Sequence, residues 1–147
     1  LVDSYGAMMD QMVRKPGLTV EERLRRVIIL CLDYIQSKRT THLFTELWAL
    51  ANHSDFVADR VRAFYERVHR AIGEYVAELN PDLTADEVHS VALFISASME
   101  GSTPFLGYGK PWAHKMPAFT ALAATSLIQL AKTVTSRDLE GLMTEAA

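Results

Sequence analysis

The stretch Thr19-Val20-Glu21-Glu22-Arg23-Leu24-Arg25-Arg26-Val27-Ile28-Ile29-Leu30-Cys31-Leu32-Asp33-Tyr34 decides the fold class. Its first four residues form a capping box, in which the threonine oxygen and the glutamate carboxylate each satisfy a backbone N–H that a helix start leaves unpaired. A helix therefore begins there, and its pattern should continue to about Ser37. The run from Val27 to Leu32 is apolar on every face, so this helix is expected at the centre of a bundle with neighbours around it. Cys31, the only cysteine, lies inside that run, where it makes no internal disulfide and packs as a small apolar residue.

Outward from this centre the same period recurs between punctuating prolines and glycines. Upstream, a helix from near Leu1 to Lys15 carries Tyr5, Met8, Met9 and Met12 at helical spacing and stops at Pro16-Gly17. Downstream, a helix from about Thr41 to Ala51 carries Leu43, Phe44, Leu47, Trp48 and Leu50. Ser54 or Asp55 caps a long helix with Val57, Val61, Phe64, Val68, Ile72, Tyr75 and Leu79 on one face, closed by Asn80-Pro81. Alternating β-branched runs closed by Asn-Gly or Asp-Gly turns are missing. The reading is all-α, a bundle of about six main helices in a single domain over residues 1–147.

The last two long helices differ from the rest. The first opens with a second capping box, Thr84-Ala85-Asp86-Glu87, and has Val88, Val91, Ala92, Ile95 and Met99 on one face, with Leu93, Phe94 and Ala97 opposite. The second, about Pro117 to Val134, has Phe119, Ala123, Leu127, Leu130 and Val134 on one face, with Ala121, Ala124, Ile128 and Ala131 opposite. An edge helix of a monomer needs one apolar stripe, so a second stripe implies a further buried contact. The expectation is a homodimer in which these two helices and their twins form a four-helix interface, with contacts at Val91, Ile95, Ala121, Ala124, Thr125 and Ile128. Between them the connection Gly101 to Met116 contains Phe105, Tyr108 and Trp112, which are expected to fold back on the bundle. A short tail helix from about Ser136 to Glu145 follows.

The net charge of -3 excludes a strongly basic nucleic-acid surface, because such binding draws its affinity from Lys and Arg set against phosphates. No run of about 18 apolar residues is present, so no membrane span is expected, and the single cysteine fits a reducing cytoplasm. Glu66-x-x-His69 has the spacing of a di-iron carboxylate ligand pair, but such sites need two of these motifs plus two further carboxylates. Its one echo, Asp86-Glu87-Val88-His89, has its acidic residues committed to capping, so no metal and no cofactor are expected. Neither a Gly-x-Ser-x-Gly elbow nor a Gly-rich phosphate loop occurs, and no enzyme is expected.

The order of these features carries a resemblance: a Met-rich first helix, an arginine-flanked central helix, His42-Leu43-Phe44-Thr45-Glu46-Leu47-Trp48-Ala49-Leu50-Ala51, the long helix from Asp55, and two terminal helices apolar on both sides. It resembles the C-terminal domain of TetR-family bacterial transcriptional regulators over nearly the whole chain. The resemblance implies an effector-binding and dimerisation domain, with DNA contacted only through a helix-turn-helix head in the parent protein, so that the chain as given is expected to be a fragment. It also implies a small-molecule pocket between the middle helices. A pocket of this kind is mostly apolar with a few polar groups, and the candidates here are Met12, Cys31, Tyr34, Phe44, Trp48, Phe64, Val68, His69 and Met99, taking a small, largely apolar effector. The alternative is a structural helical interaction module with a filled core and no ligand.

Overall fold

The computed structural model describes residues 6–8, 11 and 15–145, and among them every element is helical. Residues 6–8 and 11 are helical, whereas Tyr5, Met9 and the expected pocket residue Met12 lie outside the described residues. We number the elements that follow α1 (Val20–Ile35), α2 (Lys38–Ala51), α3 (Asp55–Leu79), α4 (Ala85–Glu100), α5 (Thr103–Leu106), α6 (Met116–Thr133) and α7 (Ser136–Glu145). A 3-10 turn, Ala113–Lys115, leads into α6.

Both capping boxes form as the sequence requires. Glu22 and Glu87 donate their backbone N–H to the hydroxyls of Thr19 and Thr84, and each carboxylate accepts the N–H of its threonine in return. These bonds hold both carboxyls below their ordinary range, the threonine backbone N–H being the main cause. Ser37 caps α2 by accepting from the Thr40 N–H, which starts that helix three residues before the expected Thr41. Ser54 caps α3 in the same way, through Val57.

α1 is the central element and packs against α2, α3, α4 and α6. Leu24, Val27, Ile28, Cys31, Leu32 and Ile35 are all buried, each stabilising the fold by roughly 1.5–3 kcal/mol for a large aliphatic side chain. The burial is not complete around the helix: Ile29 is 40% exposed. Ile29 shares its stripe with the exposed Glu22, Arg26 and Asp33, so the polar side of α1 runs through the apolar segment and faces solvent. α3 and α4 form the most extensive helix pair, and Gly73 of α3 faces Val88 and Ala92 of α4.

Asn80, which ends α3 ahead of Pro81, is a tertiary device. Its side-chain N–H₂ donates to the carbonyls of Ala131 (3.1 Å) and Val134 (2.7 Å), satisfying the free carbonyl end of α6 from 51 and 54 residues away in sequence. Replacing it strands two buried acceptors. Asn80→Ala is expected to lower the unfolding free energy by about 2 kcal/mol in a urea titration with an unchanged slope. A loss below about 0.5 kcal/mol would show that these bonds exchange freely with water.

The connection between α4 and α6 is ordered, but not as its aromatics suggested. Phe105, Tyr108 and Trp112 remain 56%, 48% and 49% exposed, and it is Leu106 and Met116 that return to the core. The reason is a polar anchor: the Thr41 hydroxyl donates to the Ile35 carbonyl (2.6 Å) and accepts the Tyr108 N–H (2.9 Å). That contact fixes Gly107 against α2, where a Cβ would lie 2.7 Å from the Thr103 carbonyl oxygen and 2.9 Å from Thr41 Oγ1. The three rings are thereby turned outward.

The terminal helices also place their stripes differently from expectation. Val91 (3%), Ile95 (0%), Ala124 (4%) and Ile128 (3%) are buried within the single chain, so they are core residues and have no side-chain surface to offer a second copy. Of the expected contact residues, Ala121 and Thr125 are exposed. The apolar side chains facing outward are Leu93 (46%) and Phe94 (55%) on α4 and Leu122 (67%) on α6. α4 and α6 touch each other, so both outward stripes belong to adjoining helices.

Candidate functional site

α2 carries Phe44 and Trp48 one turn apart, which places both rings on the face toward α3. α3 answers with Phe64 and Tyr65, and with His69 one turn beyond Tyr65. The rings form a continuous row: Trp48 to Phe44 (6.1 Å between centroids), Phe44 to Phe64 (5.5 Å), Phe64 to Tyr65 (5.0 Å, edge-on), Tyr65 to His69 (6.0 Å, stacked) and His69 to His89 of α4 (5.8 Å, edge-on). Such offset and edge-on pairs are each favourable by roughly 0.5–1.5 kcal/mol beyond burial.

A polar chain runs through the row. The Trp48 Nε1–H donates to the Tyr65 hydroxyl at 2.9 Å. The Tyr65 hydroxyl in turn meets the carboxyl of Glu100, the last residue of α4. Burial pushes the Glu100 carboxyl up to about 7, opposed only by the Tyr65 hydrogen bond. Burial and the neighbouring Glu100 charge raise the Tyr65 phenol well above its ordinary value. His69 moves the other way, lowered by burial and then by His89.

Among the described residues two hollows adjoin the ring row and a third lies apart from it. One of about 110 Å³ is lined by Phe44, Leu47, Arg60, Val61, Phe64 and Tyr65. A broad open groove of about 610 Å³ runs between α3 and α4 past Glu66, His69, Arg70, Gly73, Val88 and His89. A third, of about 370 Å³, lies at the end of α1 and the start of α2, lined by Asp33, Tyr34, Ser37, Arg39 and Thr40.

The structure therefore distributes the sequence-predicted pocket. Phe44, Trp48, Phe64 and His69 come together in the ring row, whereas Tyr34 lines a different hollow. Cys31, Val68 and Met99 are buried at 1%, 5% and 1% exposure and line none of the three hollows. Tyr65, His89 and Glu100 were missed as site residues. A signal for Glu100 exists in the sequence: it continues the stripe Ala92, Ser96, Glu100 at a spacing of four, whose first two members are small and buried. An acid on a stripe of small buried residues is an acid drawn into the fold. Among the described residues no group of three or more His, Cys, Asp or Glu side chains is arranged to hold a metal ion.

A chain of this size whose helices pack by α1 at the centre and α3 against α4 can be compared with known families. A family model described as the C-terminal domain of BetI-type transcriptional repressors matches residues 20–127. The chain belongs to this family of TetR C-terminal domains. The match begins at the first residue of α1 and ends within α6, so the whole BetI-type framework that carries the ring row is included. The family is one of C-terminal domains of transcriptional repressors. No curated protein and no solved structure matches the chain. None of the described helices is long and apolar enough to cross a membrane.

Proposed function

We propose that this domain senses a small, largely apolar molecule, forms a homodimer, and through both controls DNA binding by a longer regulator. The observation that carries the proposal is the position of α4. On its inner side it ends in Glu100, tied to the aromatic row through Tyr65, and on its outer side it presents Leu93 and Phe94. A ligand that shifts the inner end of this helix also shifts the surface available to a second copy. Coupling of this kind requires that the effector bind one arrangement better than the other.

A ligand bound only by the folded state raises its melting temperature. A panel of small aromatic and aliphatic compounds is expected to contain members that raise it by several degrees. Trp48→Ala, which removes one end of the ring row, should abolish the gain. The competing reading, a structural module without a ligand, is favoured by the tight burial of Cys31, Val68 and Met99. A melting temperature indifferent to the whole panel would decide for that module.

A further inference from the structure

We infer that the hollow between α2 and α3 takes a small monocyclic carboxylate, with its ring against Phe44, Leu47, Val61, Phe64 and Tyr65 and its carboxylate on the guanidinium of Arg60. The inference rests on the effector-binding reading above and names the chemical class of that effector.

Shape sets the size of the ligand. The hollow measures about 110 Å³ and is partly enclosed. In other proteins an apolar cavity of about 150 Å³ holds one benzene molecule. The space between α2 and α3 therefore suits a single six-membered ring with its substituent at the opening, and it is too small for a fused ring system. Its floor is fixed, because Phe44 and Phe64 are 6% and 4% exposed and their ring centroids stand 5.5 Å apart. A planar ring placed there meets aromatic edges and faces, a contact favourable beyond the area it buries.

Charge selects the substituent. Arg60 is the one charged residue of the lining, and it is exposed, which puts it at the mouth of the hollow. Asp59, its neighbour in sequence, is taken by Arg62, and the other ion pairs among the described residues join Glu21 to Arg25 and Lys132, so none of them sets a carboxylate against Arg60. Its guanidinium lies instead 5.2 Å from the centre of the exposed Phe56 ring, a contact that gives its N–H groups no lone pair to bond. A carboxylate matches that planar group with two parallel N–H···O bonds, the arrangement in which an exposed arginine contributes most. An ammonium is repelled by the same group, and a neutral ring fills the hollow without using the charge. The wide groove past His69 and His89 lacks this preference, because Glu66 and Glu74 line it together with Arg70. Tyr65 ties the small hollow to the polar chain: it forms part of the wall and accepts the Trp48 N–H, so a bound ring bears on the contact between α2 and α3.

The test uses the full chain at pH 8 and three probes that share one phenyl ring and a planar head: benzoate, benzamide and protonated benzamidine. NMR titrations are expected to give benzoate a Kd lower than that of benzamide by roughly fivefold or more, and benzamidine the weakest binding. Arg60→Gln should erase the preference for benzoate while leaving the benzamide Kd unchanged, and Arg60→Lys, which keeps the charge without the planar fork, should retain part of it. Val61→Trp and, from the α2 side, Leu47→Trp fill the hollow and should each remove binding of all three probes, with circular dichroism showing the helical content of the parent chain. Equal Kd values for benzoate and benzamide, or a preference for benzoate that survives Arg60→Gln, would overturn the inference while leaving the effector reading intact. So would binding that persists in both filled variants, because it then lies outside the hollow. If none of the three binds while other apolar compounds raise the melting temperature, the carboxylate is wrong and the sensing function stands. If no compound of either set binds, both readings fall together.

Discussion

Phe94→Glu combined with Leu122→Glu is expected to convert the proposed dimer to a monomer, raising its dissociation constant at least 100-fold, equivalent to about 2.7 kcal/mol. Both side chains are more than half exposed in the single chain, so the substitutions leave its core untouched. In a two-fold interface each change occurs twice, once in each copy, and four carboxylates are brought into a surface from which water must be expelled. Sedimentation equilibrium at micromolar concentration reads the outcome. Circular dichroism should show the helical content of the parent chain. Ala124→Glu is not an equivalent test: Ala124 is 4% exposed, and a charge there attacks the monomer core, so loss of the dimer would follow from loss of the fold. An unaltered chain that sediments as a monomer, or a double variant that still dimerises, removes the four-helix interface from consideration.

Glu100→Gln is expected to stabilise the ligand-free domain at pH 8 by about 1–3 kcal/mol and to leave it nearly unchanged at pH 5. The folded carboxyl is held up at about 7 against an ordinary value of 4.5. The folded state therefore binds the proton more tightly than the unfolded state. The stabilising contribution of the protonated acid is complete below about pH 4.5 and is lost as the pH rises through about 7. At roughly 1.36 kcal/mol for each pH unit of displacement, the full loss is on the order of 3 kcal/mol. Residual contact with solvent brings the expected value below that ceiling. Glutamine keeps the shape and an amide oxygen that accepts the Tyr65 O–H without the charge, so it does not suffer the loss. His69 contributes in the opposite sense, since its lowered pKa withdraws stability as the pH falls. That contribution is common to both proteins and cancels in their difference. Urea titrations at half-unit pH steps give the curve, and at pH 8 the melting temperature of the variant should lie several degrees higher. Parallel curves for the two proteins from pH 5 to 8 would mean that Glu100 stays hydrated.

Local chemistry settles a good deal of this molecule. The two capping boxes at Thr19 and Thr84 fix helix starts because both partners lie within four residues. Asn80-Pro81 ends α3, and the apolar run around Cys31 announces a helix central to the bundle, although its reading as apolar on every face overlooked the solvent side at Ile29. The all-α class, the helix order and the shared face of Phe44 and Trp48 follow from such short-range rules together with period 3.6. Tertiary structure alone decided which of two apolar stripes turns inward. Periodicity states which residues share a face, but the neighbour that face meets comes from elsewhere in the chain, so Val91, Ile95, Ala124 and Ile128 entered the core while Leu93, Phe94 and Leu122 were left outside. The same holds for Glu100: a glutamate closing a helix reads as a surface residue until α3 brings the Tyr65 hydroxyl against it, and Tyr65 is held there by an indole from α2 seventeen residues earlier. Charge, donor and ring in this site come from three helices, and only their packing makes them one environment.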